Sequence, residues 1–245
     1  MKLPMKLTRI YLFIISFFAL ATNSLQAQQT ASQDSIVIKE KFGIRVGADL
    51  QKAIRTLIDE DFQGFEVLGD YRVYKDYYAA AEIGIEEKDY TEPYLDGTAS
   101  GTYIKIGANY NAYENWLDMQ NEIFVGIRYG FSSFSQTLNK YAIYANDSYF
   151  PVDIRETNQE FKSLNASWGE LQAGLKTEVL NNLFLSVHVQ LKVMISDKKP
   201  DDYDNLYIPG FHRTYDSSSF GVGWGYSLSY LIPVVKKDKK LKPLD

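Results

Sequence analysis

Between Leu183 and Ile195 the sequence alternates without a break. Leu183, Leu185, Val187, Val189, Leu191, Val193 and Ile195 share one parity, and Ser186, His188, Gln190 and Lys192 fall between them. Side chains of an extended chain point to opposite faces in turn, whereas at 3.6 residues per turn the same apolar positions would scatter around a helix. The segment therefore reads as a strand with one apolar and one polar face. Residues 220–232 repeat the pattern, with Phe220, Val222, Trp224, Tyr226, Leu228, Tyr230 and Ile232 opposite Gly221, Gly223, Gly225, Ser227 and Ser229. The Gly-Val-Gly-Trp-Gly run lacks the following helix and the acidic partner of a dinucleotide-binding turn, so it too reads as strand. Six further segments alternate alike, at 42–50, 65–74, 77–86, 104–110, 122–131 and 170–179, which brings the total to eight.

The connections between these segments also alternate. Short turns are expected at Lys75-Asp76, around Glu114 to Leu117, and at Asn181-Asn182, where asparagine tolerates positive φ. Longer loops are expected at Thr56 to Gly64, Glu87 to Gly101, Thr137 to Asn165 and Asp197 to Ser218. An even strand number with short turns at one end and long loops at the other predicts an all-β, eight-stranded antiparallel up-and-down transmembrane β-barrel. A soluble barrel shows the same alternation, so the polar face has to decide between them. That face mixes charges with Gly43, Gly47, Gly84, Gly107, Gly126, Gly130 and Gly174, as a narrow interior shared by large and small side chains requires. Aromatics near the ends of the apolar face, among them Phe65, Tyr77, Tyr110, Phe131 and Tyr230, suit interfacial girdles.

The predicted interior carries Arg45, Arg72, Lys105, Arg128, Lys176 and Lys192 against Asp49, Glu66, Asp70, Glu82, Glu86, Glu122, Glu170 and Glu178, with His188 among them. Buried charges are tolerable when paired, and an eight-stranded barrel is just wide enough for its own side chains to fill. The expectation is a charge-paired plug. An ion or proton path through it is the alternative.

Composition sets the compartment. Lys2, Lys6 and Arg9 precede an apolar run from Ile10 to Ala21, and Leu25-Gln26-Ala27 offers a small residue for cleavage, the pattern of a secretory signal peptide. Twelve residues span about 18 Å as a helix, short of a hydrocarbon core of about 30 Å. Removing residues 1–27 takes three of the 26 basic residues and none of the 31 acidic ones, leaving a net charge of −8 and no basic face for nucleic acid. The absence of Cys excludes disulfides, thiolate metal sites and a lipoprotein anchor, and two His are too few for a multi-histidine metal centre. The expected organisation is a signal peptide at 1–27, a flexible lead-in at 28–41, the barrel at 42–233 and a basic periplasmic tail at 234–245.

Five stretches carry a family resemblance: FGIRVGADL from Phe42, GFEVLGDYRVY from Gly64, GIRYGFSSFSQTL from Gly126, NLYIPGF from Asn205 and YSLSYLIP from Tyr226. Together they resemble an outer-membrane β-barrel family of Bacteroidota, one of the domains of unknown function. The resemblance implies the fold and a place in the outer membrane of a Gram-negative bacterium and carries over no functional residue; the short turns at one end and long loops at the other are what put both termini in the periplasm. A barrel in that membrane is expected to contact outer-membrane lipid and the barrel assembly machinery, which would read Tyr230-Leu231-Ile232 as an internal end signal because Val234 to Asp245 follow the last strand.

Candidate chemistry is sparse. His212 lies within PGFHRTYDSS with Asp216 and Ser217 close by, so a membrane-embedded hydrolase or lipid-modifying enzyme is one alternative to a structural, adhesive or recognition barrel, and a small channel is another. His188 is expected to be a hydrogen-bonded interior residue. Asp197, Asp201, Asp202, Asp204 and Asn205 are oxygen ligands of a kind calcium takes, but their spacing is not that of a twelve-residue calcium loop. Tyr141, Tyr144, Tyr149, Phe150 and Phe161 mark the longest loop as a candidate surface for an unidentified ligand or protein partner. No catalytic residue and no cofactor are expected.

Overall fold

The computed structural model describes residues 38–113, 120–143, 152–201, 203–213 and 218–239. Eight strands close into one antiparallel barrel: β1 (Ile38–Asp49), β2 (Phe62–Tyr74), β3 (Tyr77–Glu92), β4 (Leu95–Asn111), β5 (Glu122–Ile143), β6 (Asp153–Leu180), β7 (Leu183–Asp197) and β10 (Phe220–Lys239). Helix α1 (Leu50–Ile58) follows β1, and the two-residue strands β8 (Tyr207–Ile208) and β9 (His212–Arg213) pair with each other inside the connection from β7 to β10. Each barrel strand pairs with its neighbour in sequence, and β1 pairs with β10 to close the ring.

The expected faces are the observed ones. Along β5 every second residue from Glu122 to Phe134 is buried, and those between are exposed. The outward set includes Ile123, Val125, Ile127, Tyr129 and Phe131. Inside, small residues make room for large ones across the strands: Gly130 lies opposite Trp168 and Gly84 opposite Tyr103, and a Cβ on either glycine would run into the facing ring. At the turn end the expected turns at Lys75-Asp76 and Asn181-Asn182 are observed, and the third, around Glu114 to Leu117, lies outside the described residues. Asn182 adopts φ 65° and Lys75 φ 40°, and the start of β1 and the end of β10 lie at this end, where Ile38 pairs with Lys239.

The other end differs from the expectation in three places. Glu87 to Gly101 is not a loop: β3 and β4 remain paired up to Glu92 opposite Leu95. Most of Thr137 to Asn165 is likewise a continuation of β5 and β6, paired to Ile143 opposite Asp153, with Tyr144, Tyr149 and Phe150 outside the described residues. Beyond the barrel wall both faces of β6 are exposed, so the apolar and polar contrast that reveals a strand is missing there. Residues 50–58, expected to carry the end of β1 and the start of a loop, form α1 instead: the Asp49 carboxylate accepts the Lys52 N–H at 2.8 Å and caps the helix.

These extensions raise a four-stranded wall of β3, β4, β5 and β6 above one side of the mouth. Its free edge is β6, which pairs with β7 only from Ala166 onward. Two register shifts in that edge coincide with Asn158 at φ 48° and Ser163 at φ 57°. Each adds one residue to β6, and bulges of this kind twist an edge away from indiscriminate pairing. Barrel pairing also runs past the expected 42–233, into residues 38–41 and 234–239.

Candidate functional site

The lumen is filled in three layers. Nearest the turns, two cations meet two carboxylates: Arg45 Nε lies 2.6 Å from Asp70 and its Nη1 2.5 Å from Glu122, while Lys176 Nζ lies 2.6 Å from Asp70 and 3.6 Å from Glu122. The Arg45 guanidinium also sits 4.7 Å from the centre of the Tyr78 ring. Strands β1, β2, β5 and β6 each contribute one member, so the cluster ties four strands through the centre.

The middle layer turns on Glu82 of β3. Its carboxylate receives Lys105 Nζ at 2.6 Å, Arg128 Nε at 3.0 Å and Gln172 Nε2 at 3.3 Å. Lys105 is also 3.3 Å from Glu66, which accepts the Tyr103 hydroxyl at 2.5 Å and Lys52 Nζ at 2.9 Å. Glu170 accepts from Gln172 at 2.7 Å and from the Trp168 indole at 3.2 Å. His188 is bonded to Gln190 at 2.8 Å. Between these two layers a cavity of about 30 Å³ touches Glu66, Asp70, Glu82, Arg128 and His188. That is room for about two waters.

The outer layer is a plug. Tyr207, Ile208, Pro209, Gly210 and Phe211 are buried inside the barrel, where Ile208 and Phe211 pack with Tyr103, Phe134, Leu164 and Trp168, and Tyr207 packs with Phe62 and Ala99. Phe211 meets Trp168 edge to face at 5.9 Å between centroids. Glu86, with no exposed side-chain surface, anchors the plug: its Oε2 accepts the Tyr207 hydroxyl and the Gly210 N–H, both at 2.8 Å, and its Oε1 is 3.5 Å from Lys52 and 3.7 Å from His212. Lys192 Nζ donates to the Gly210 carbonyl at 2.8 Å.

His212 therefore faces an acidic group, and that group is Glu86 from β3. Asp216 and Ser217, its expected neighbours, lie outside the described residues. Its ring stacks on Tyr207 at 6.1 Å and its backbone has φ 84°. Burial, reinforced by Lys192, pushes its pKa down to about 4 against the pull of Glu86. The imidazole is neutral at pH 7. Burial and the same carboxylate hold the Tyr207 phenol well above its ordinary value. The arrangement can grip a loop, but no hydroxyl nucleophile is bonded to His212 among the described residues.

The sequence matches, over residues 7–237, the family described as a domain of unknown function, DUF6048. The chain belongs to that family. No curated protein matches it. Among solved structures it is similar to Ail, the attachment invasion locus protein of Yersinia pestis, at 10% sequence identity over 80% of this chain and 99% of that one, with a TM-score of 0.38.

Of the interior charges expected from the DUF6048 sequence, the structure brings Arg45, Glu66, Asp70, Glu82, Glu86, Lys105, Glu122, Arg128, Glu170, Lys176 and Lys192 into the three layers, all buried. Asp49 is buried as the helix cap. Arg72 and Glu178 have the right parity but lie at the turn end. Arg72 donates to the Lys75 carbonyl, and Glu178 sits 3.6 Å from Lys41. Lys52 was not among the expected residues, because it enters the lumen from a helix where strand parity is no guide. The plug was missed as well, although an uninterrupted Leu206-Tyr207-Ile208-Pro209-Gly210-Phe211 run inside a long polar loop is a burial signal. In the acidic loop Asp197 holds Asn205 at 3.0 Å and Asp204 holds Lys199 at 2.6 Å; Asp202 lies outside the described residues. Among the described residues no group of three or more His, Asp or Glu could hold a metal ion.

Proposed function

We propose that this DUF6048 protein is an outer-membrane barrel with a closed lumen, its turns and both termini on the periplasmic side, which acts through its outer end as a structural, adhesive or recognition protein. The observation that carries this reading is the outer face. Ile44, Tyr71, Ile83, Ile104, Ile127, Leu171, Val189 and Val222, one from each barrel strand in chain order, are all exposed. A continuous apolar belt around a closed barrel far exceeds the few hundred Å² that a water-soluble monomer ordinarily shows. From Leu183 to Ile195 the belt covers roughly 40 Å of strand, or roughly 30 Å along the membrane normal at a tilt of about 40°. That is the thickness of a hydrocarbon core. Export is supported by the leader pattern in residues 1–27.

The lumen favours a closed barrel over a channel, because paired charges fill two layers and an apolar plug fills the third. Activity then falls to the outer end, where the β3–β6 wall and the plug meet solvent. Expressed in a bacterium with two membranes, the protein should sediment with the outer membrane, need detergent for extraction, and run faster on gels unheated than boiled. Recovery in the soluble fraction without detergent would overturn the reading.

A further inference from the structure

The barrel wall holds the plug mainly by its main chain. Gln136 of β5, fully buried, accepts the Leu206 N–H on Oε1 at 2.8 Å and donates Nε2 to the Asp204 carbonyl at 3.1 Å. The Tyr90 hydroxyl of β3 donates to the Leu206 carbonyl at 3.2 Å. Glu86 and Lys192 take the N–H and the carbonyl of Gly210, each at 2.8 Å. Four wall side chains from three strands thus read five main-chain atoms of one short segment. The side chains of that segment are received separately, Tyr207 against Phe62 and Phe211 against Trp168.

A plug needed only to fill space could be met by apolar wall residues. Placing a glutamine, a glutamate and a lysine in that wall is costly unless something supplies their hydrogen bonds. What supplies most of them here is a peptide backbone, which fixes the path of the segment, while flanking pockets choose the side chains. That division of labour, main-chain bonds for grip and pockets for choice, is one by which proteins recognise peptides. The chain leaves the site through His212 at φ 84°, a left-handed conformation that histidine adopts at a cost.

We propose that the outer lumen is a peptide-binding site, filled in cis by residues 204–212, which takes in trans a turn-forming segment carrying an aromatic residue at the place of Phe211, within the tight turn that pairs Ile208 with His212. The proposal goes beyond the membrane reading and requires only the closed barrel.

The test replaces residues 204–212 with a glycine-serine linker of equal length and titrates the detergent-solubilised barrel with the synthetic peptide Asp204–His212, following Trp168 emission. The expected result is saturable one-to-one binding, weakened at least about tenfold when the peptide carries Phe211→Ala and at least about tenfold by Glu86→Gln in the barrel. A linker variant that keeps its heat-modifiable mobility but ignores the peptide, or binds a scrambled one equally, overturns the proposal. Should the linker variant fail to assemble, hydrogen exchange on the intact protein decides the matter. Amides of Leu206, Gly210 and Phe211 exchanging together ahead of the strands, and faster with excess peptide, support an exchangeable ligand. Exchange of those amides only with the strands means a structural plug and overturns the proposal.

Discussion

Glu82→Ala is expected to cost about 3–5 kcal/mol of folding stability, the range for breaking a buried ion pair on one side. Glu82 is buried and bonded to Lys105 at 2.6 Å and Arg128 at 3.0 Å. Without it Lys105 keeps Glu66 at 3.3 Å, but Arg128 is left with the carbonyls of Ala108 and Ile127. A buried cation with no carboxylate is the expensive outcome, and the size of the loss follows from how dry the lumen is. Urea unfolding in lipid vesicles, followed by tryptophan emission, checks it. Glu178→Ala is the comparison, because its Lys41 partner at 3.6 Å is in the more open turn region and the pair is worth about 1 kcal/mol or less. Equal small losses for both would mean that water screens the lumen throughout, as in an open channel.

The second large effect lies on the opposite face. Ile127 sits at the middle of the outward run from Ile123 to Phe131 and is 64% exposed. Arginine there should cost about 2–4 kcal/mol if the position lies near the centre of a bilayer. In a water-soluble barrel the same exchange of an exposed side chain would stay within about 0.5 kcal/mol. The two expectations are far enough apart for equilibrium unfolding in vesicles to separate them, with Ile127→Leu as the control for local packing.

The strands and their faces were readable because a barrel wall has a packed inside and an exposed outside, and the period of two records that separation residue by residue. Ile83 and Glu82, or Val189 and His188, differ in polarity because they face different media. The pattern lapses wherever the media become alike. Asp153 to Lys162 of β6 stands above the belt with both faces exposed, so nothing in its sequence marks it as strand. Arg72 and Glu178 have lumen parity at the end where the lumen opens, so parity alone placed them too deep. Helix α1 was hidden because Ala48, Asp49 and Leu50 continue the alternation of β1 by one more step, while the Asp49 cap and the inward Lys52 become visible only with the fold. The plug was hidden by the habit of reading loops as polar. Its apolar run is a small core carried by a connection.

The central claim, a membrane-spanning barrel whose lumen is closed, can be tested directly because the chain has no Cys and accepts single labels without background. Spin labels placed one at a time from Leu183 to Ile195 along β7, in reconstituted vesicles, report access to oxygen dissolved in lipid and to a water-soluble relaxation agent. Odd positions should be open to oxygen and shut to the aqueous agent, and Ser186, His188, Gln190 and Lys192 should be shut to both. Odd positions open to the aqueous agent would contradict the membrane belt, and even positions open to it would contradict the closed lumen.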